Sequence, residues 1–434
     1  MPVLDEVAID THAAGILASG VAPAAAIAVS DGSRTLFSRR YGNAISSHLW
    51  QIGSIGKSMT AVLALQLAAG GTLDLHAPVT DYLPWFAVRS AFAPITLHDL
   101  LTHTAGLIAG AEIAPASHYD VIALAETEAA WEPGAHRWYS NVGYRVIGAA
   151  LERLTGSPYP TLVQQRILDP LELRASVPAI VHDVRRLLPG GHVPFYDDRP
   201  WRPAHGLVPA PWIESADADG SPCCSIEDLA RYARALWQDD ERLADEPSLH
   251  TMKSALVRDE RHGGAYGYGL VVDDDGFGHG GGMIGYTADL RVDTRTGLAA
   301  AACTNGIDGA AALTAGALAI ARGETPASPE AAPVEPLVDD GSCPPEWRPC
   351  LGRYRSHNPW EPTFRVAAQA GRLVLGTDWL EQGSREPLAH LDGGRFRVGE
   401  WELSPERISF DTPVDGRIQR ALLSGAPYFR AFTD

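Results

Sequence analysis

The chain has 434 residues, a formal net charge of -18, 45% hydrophobic residues and 20% charged ones. Those fractions are typical of a globular protein, and the length admits a large core and more than one domain. The acidic balance excludes the basic footprint that nucleic acid or an anionic membrane surface requires.

Met1 to Glu6 carries acids where a secretory leader carries basic residues, and Ser19-Gly20 interrupts the apolar stretch from Ala13 to Val21. No signal peptide and no bilayer-spanning run is therefore expected, and the expected location is cytoplasmic. Val3 to Leu17 reads as a helix. Ala24 to Val29 and Thr35 to Tyr41 read as strands around the turn Asp31-Gly32. A mostly helical stretch runs to about residue 250. Tyr266 to Val272, Met283 to Val292 and Leu298 to Cys303 read as strands, and Gly309 to Ala321 as a closing helix. The expected fold class is α/β (α+β): an antiparallel sheet flanked by helices from both ends of the chain, with a helical insert between its halves.

Residues 326–349 are rich in proline, acidic and without helical period, so they read as a linker. Residues 1–325 then form the main domain and 350–434 a second one. In the second, Phe364 to Val366, Leu373 to Leu375, Leu388 to Leu391, Arg395 to Val398, Ile408 to Phe410 and Ile418 to Leu423 alternate with glycine turns, which predicts a small antiparallel barrel. The five cysteines include no CxxC pair, so reduced thiols fit best, although Cys343 and Cys350 are spaced to pair. With no HExxH or clustered His/Asp pattern, no metal and no cofactor is expected.

Of the 35 basic residues only Lys57 and Lys253 are lysines. Arginine keeps its proton in proteins, whereas a desolvated lysine amine can act as a base. Lys57 follows Ser54 by three residues in Gly53-Ser54-Ile55-Gly56-Lys57, at the start of an apolar run that stops at Gly70-Gly71. A helix apolar on nearly every face is a buried one. Ser54 then sits at its electropositive N-terminus with Lys57 one turn on, a workable activated nucleophile. Ser54 as a plain helix cap, with Lys57 reaching solvent, is the competing reading. Tyr139-Ser140-Asn141 follows the turn Glu132-Pro133-Gly134. There a phenol could shuttle protons and an amide could hold a substrate amide. His279-Gly280-Gly281-Gly282 precedes a strand. Its glycines allow close backbone approach, and the N–H groups of Gly282 and Ser54 could form an oxyanion hole.

S-x-x-K, Y-x-N and H-x-G in this order resemble the three motifs of the serine β-lactamase and penicillin-binding protein superfamily, in its class C-like, D-aminopeptidase and esterase branch. The flanks agree: Gln51-Ile52-Gly53, the run Leu100 to Leu107, and Gly278 to Tyr286. The resemblance spans roughly Val3 to Ala321, and the C-terminal region resembles the lipocalin-like barrel appended to many members. It implies Ser54 as the acylated nucleophile, Lys57 and Tyr139 as a coupled acid–base pair, and Asn141 orienting the substrate amide. It implies His279 on the leaving side or on a carboxylate, with Gly280 and Gly281 beside the substrate. His103 belongs to a segment that is usually structural.

His279 stands where many relatives have lysine, so a strong cation for a penicillin carboxylate is missing. The expected substrate is an intracellular ester, thioester or amide. A subgroup, the penicillin-binding-protein-type thioesterases, also resembles this layout. It implies cyclisation of a peptidyl chain delivered by a carrier protein, with a basic residue such as Arg430 binding a carboxylate. A non-catalytic binder of the same fold is the third reading.

Overall fold

The computed structural model describes residues 4–45, 48–110, 117–261, 263–327, 337–360, 363–377 and 385–431. Strand β1 (Ala24–Ser30) pairs with β2 (Thr35–Gly42) on one side, and on the other with the distant strand Leu298–Thr304. That strand closes the series β3 (Val257–Arg258), β4 (Ala265–Tyr266), β5 (Val271–Asp273), β6 (Gly276–Met283), β7 (Tyr286–Asp293) and β8 (Leu298–Thr304). The spatial order is β2-β1-β8-β7-β6-β5-β4-β3, antiparallel throughout.

Both central strands are built almost wholly of small residues, and every position of β1 and β8 is buried. Side chains alternate between faces along a strand. Ala25, Ile27 and Val29 pack with Ile9, Ala13 and Ile16 of helix α1 (Glu6–Ala18), and with Leu313 and Ala317 of a C-terminal helix (Ala310–Ala321). Ala24, Ala26 and Ala28 face the larger cluster that holds helix α2 (Gly56–Ala69), helix α3 (Asn141–Thr155) and helix α4 (Ile226–Trp237). Alanine on both faces lets helices approach closely from either side, which gives a three-layer domain.

Two strand expectations need correction. The run expected from Tyr266 to Val272 is a hairpin, β4 and β5, because Gly269 has φ +69 and its missing Cβ would lie 2.7 Å from the Lys57 carbonyl oxygen. The turn is thus moulded against the first turn of α2. The run from Met283 to Val292 is likewise split, and His279-Gly280-Gly281-Gly282 is itself strand, in β6. Glycine has little intrinsic preference for strand, so the pairing of Gly276 to Met283 with Asp293 to Tyr286 sets that conformation.

The C-terminal part is a closed barrel of eight antiparallel strands, from Gly352–Arg355 to Ala426–Arg430. Tyr354, Phe364, Phe396, Phe410 and Tyr428 fill it with contacting rings. Its first and last strands were absent from the sequence reading. The proposed linker falls partly outside the described residues. All five cysteines are free thiols, Cys343 and Cys350 included. Among the described residues no helix is long and apolar enough to cross a membrane. Among them also, no group of three His, Cys, Asp or Glu side chains could hold a metal ion.

Candidate active site

Ser54 lies in a single 3-10 turn, Gly53–Ile55, that feeds directly into α2. Eleven of the fourteen residues of α2 are buried, Lys57 completely. A buried lysine must satisfy its amine locally. Lys57 Nζ lies 3.0 Å from Ser54 Oγ, 2.8 Å from Asn141 Oδ1 and 2.7 Å from the Asp219 carbonyl oxygen. The three contacts fill the tetrahedral valences of a primary amine. The Tyr139 ring covers the same nitrogen at 4.9 Å from its centroid, with the Tyr144 ring at 5.6 Å. The structure therefore brings Ser54, Lys57, Tyr139 and Asn141 to one point. Tyr139 meets Lys57 through its ring face, with no direct hydrogen bond to Ser54 or Lys57.

Asn141 opens α3, whose N-cap Ser140 accepts from the Gly143 N–H, and its own N–H donates to the Ala109 carbonyl at 2.7 Å. The strand β6 passes beside the nucleophile turn. Gly53 has φ +51, and a Cβ there would stand 2.7 Å from the Gly282 nitrogen. Gly281 faces the Ile52 carbonyl, where a Cβ would stand 1.9 Å away, so backbone packs on backbone. Strand β5 pairs only as far as Gly278, and the strand runs on past it to Gly282 and Met283, which line the pocket; the expected substrate neighbours Gly280 and Gly281 are not in that lining.

That pocket holds about 240 Å³. Ser54, Asn141, Asp219 and Gly282 form its catalytic-domain wall, and Trp360, Glu406, Leu423 and Ser424 of the barrel form the opposite wall. Glu406 Oε1 accepts from the Ala109 N–H at 2.7 Å and from Trp138 Nε1–H at 2.9 Å, and its other oxygen accepts from Ser424 Oγ. Trp401 stacks on Trp138, with ring centroids 5.7 Å apart, and Arg261 caps Trp138. Arg145, buried but itself part of the pocket lining, bridges Asp120 and Asp219, which engages its charge and holds the segment that offers its carbonyl to Lys57. The sequence reading missed Asp219, Arg145 and the four barrel residues. The Asp-Gly turn at Asp219-Gly220 was the only local signal among them.

Two expected substrate ligands are placed elsewhere. His279 is buried, with Nδ1 donating to the Gly280 carbonyl at 2.6 Å and Nε2 meeting the Tyr266 hydroxyl at 3.0 Å. Burial, then the positive charges of Lys57 and Arg137, hold its pKa down at about 4. The imidazole is neutral at physiological pH and offers no cation to a carboxylate. The Arg430 guanidinium donates to the carbonyls of Pro349, Leu351 and Ile418, within the barrel and away from the pocket lining. It seals the barrel seam, where three carbonyl oxygens outcompete a solvated substrate.

The Beta-lactamase family profile matches residues 9–323. The chain belongs to that family. Its fold is the one shared by the serine hydrolases of the group. The chain is 28% identical over 279 residues to penicillin-binding protein 4 of Amycolatopsis lactamdurans, covering 59% of this chain and 72% of that one. It superposes on a D-stereospecific amidohydrolase from Streptomyces sp. with TM-score 0.60 and 26% identity, over 71% of this chain and 97% of the other. The octameric penicillin-binding protein homologue from Pyrococcus abyssi aligns over 98% of this chain and 100% of its own, with TM-score 0.68 and 21% identity, a likeness of fold.

Proposed function

We propose that this beta-lactamase family member is a serine acyl-enzyme hydrolase acting on an intracellular ester, thioester or D-amino-acid amide that lacks a carboxylate beside the scissile bond. The observation that carries the reading is the 3.0 Å contact between the fully buried Lys57 Nζ and Ser54 Oγ, which lines the pocket. Lys57 Nζ donates to Ser54 Oγ, Asn141 Oδ1 and the Asp219 carbonyl, and once it has given up one proton the same geometry turns its lone pair to the Ser54 hydroxyl. Ser54 Oγ then attacks the substrate carbonyl carbon as its proton passes to that lone pair. The N–H groups of Ser54 and Gly282 receive the developing oxyanion, which the adjacency of Gly53 and Gly282 favours. Collapse expels the alcohol, thiol or amine, which takes up the proton. Water then attacks the acyl-Ser54 ester and regenerates the hydroxyl. The contact with Ser54 Oγ favours Lys57 as the proton acceptor, with Tyr139, whose ring covers the same nitrogen, as the alternative.

The neutral, occupied His279 and the remote Arg430 support a substrate without a carboxylate anchor, and so weigh against penicillins. The D-stereospecific amidohydrolase of similar fold supports amides of D-amino acids among the candidates. One observation favours a second reading, in which a peptidyl thioester brought by a carrier protein is cyclised. The barrel wall of Trp360, Leu423 and Ser424 over Ser54 screens an acyl-enzyme from water. Among the described residues the barrel brings no cation to the pocket lining, which favours hydrolysis.

Fluorophosphonate treatment should add one phosphonyl group to the wild-type chain and none to Ser54→Ala, read by intact mass. An unlabelled wild-type chain would leave the non-catalytic binder as the better reading. Free acid as the only product from a linear peptidyl thioester would exclude cyclisation.

A further inference from the structure

Tyr266 ends β4 with its side chain buried at 1% exposure, under the Arg137 guanidinium at 4.5 Å from the ring centroid. Its hydroxyl lies between two histidines, 3.2 Å from His103 Nε2 and 3.0 Å from His279 Nε2. The protons in this row are fixed by its ends. The Ser140 N–H donates to His103 Nδ1 at 3.0 Å, so neutral His103 carries its hydrogen on Nε2 and must give it to the Tyr266 oxygen. A carbonyl can only accept, so His279 carries its hydrogen on Nδ1 toward Gly280 and leaves Nε2 bare. The Tyr266 O–H must then donate to that nitrogen. The neighbouring Tyr144 hydroxyl donates to the Leu101 carbonyl at 2.8 Å, so the bare His279 nitrogen is left to receive the Tyr266 proton.

The row joins the two halves of the catalytic apparatus. At one end, His103 accepts from Ser140, takes the Trp138 N–H on its own carbonyl at 2.8 Å and stacks on the Tyr139 ring at 4.3 Å between centroids. His103 adopts φ +61 to do so, which a non-glycine residue does at a cost that its surroundings must offset. At the other end, His279 begins Gly280-Gly281-Gly282, a run with no side chains to hold it beyond the reach of β5. We propose that Tyr266 is a positioning residue, its hydroxyl locking the loop that carries Tyr139 and Asn141 against the strand that carries Gly282. Histidine in the third motif serves this lock instead of the substrate. The inference rests on the hydrolase reading for its kinetic consequence and on hydrogen bonding alone for its proton pattern.

The test is Tyr266→Phe in the full chain, which keeps the ring and removes the hydroxyl contacts to both histidines and to Tyr144. Fluorophosphonate labelling of Ser54 should slow about 10–100-fold, as expected for a small misplacement of reacting groups. With a p-nitrophenyl ester the loss should fall on kcat, with KM within about twofold of wild type. Nitrogen NMR of wild-type protein with 15N-labelled histidine should show His103 protonated on Nε2 and His279 on Nδ1, both neutral at pH 7. Labelling of Tyr266→Phe at the wild-type rate, a loss confined to KM, or the opposite His279 tautomer would each overturn the proposal. The wild-type tautomers decide the matter even where Tyr266→Phe fails to fold. A wild-type chain that takes no label would sink the hydrolase reading, and the NMR pattern would still test the lock.

Discussion

Glu406 is a barrel residue, yet it reaches both loops of the catalytic site. Its carboxylate accepts from Ala109 and Trp138, and the Ala109 carbonyl in turn accepts from the Asn141 N–H. Glu406→Ala would leave two donors without their protein partner at the edge of the pocket. A hydrogen bond to a charged group contributes about 1.5–3 kcal/mol, and partial exposure of Glu406 places the pair toward the low end, at about 2–4 kcal/mol in total. Asn141 and the residue before Tyr139 would lose their outer support, so acylation should slow about 10–100-fold. Glu406→Gln keeps an oxygen for the two N–H donors and an NH2 for Ser424, and should recover most of both losses. Urea unfolding followed by tryptophan emission and the fluorophosphonate labelling rate measure the two effects. Glu406→Ala with wild-type stability and labelling would refute the idea that the barrel helps to build the site. Equal losses in the alanine and glutamine variants would refute the assigned hydrogen bonds.

Two further outcomes follow from the buried site. Lys57→Arg keeps the charge, but guanidinium cannot take a proton, and a larger group in a fully buried position adds about 1–3 kcal/mol of overpacking. Labelling should fall below about 1% of wild type, and a rate within a few-fold of wild type would mean that Lys57 is only a structural cation. His279 titrates at about 4 when folded, below its unfolded range, with Lys57, Arg137 and Tyr266 facing it. Between pH 4 and 6.5 the unfolded chain therefore binds the extra proton, and the His279 contribution, fully present above 6.5, is lost as pH falls through that window, by about 3 kcal/mol. Asp289, pushed up to about 6 by burial, works in the opposite direction, so the comparison is between wild type and His279→Gln. Urea midpoints should converge as the pH is lowered, and parallel pH curves for the two proteins would exclude the assignment.

The helix-bound pair was legible because a spacing of three on an apolar helix is local information: Ser54 and Lys57 fall where the sequence puts them. Most of the barrel was legible because its glycine turns mark its hairpins. What stayed hidden depends on contacts between distant segments. His279 looked like a substrate ligand until the β4–β5 hairpin brought Tyr266 against it. Arg430 looked available until the barrel seam supplied three carbonyls. Glycines 280 to 282 carried no strand signal of their own, and Glu406 reaches Ala109 only once two domains have docked.

The pairing of Ala25 with Thr304 also has a consequence for biosynthesis. The N-terminal hairpin emerges from the ribosome long before its neighbouring strand exists, so an alanine-rich edge stays open while most of the chain is made. Such distant partners slow folding and prolong exposure to unwanted association. The pocket draws on residues from Ser54 to Ser424, so its barrel wall is completed only when the last barrel strands have been made.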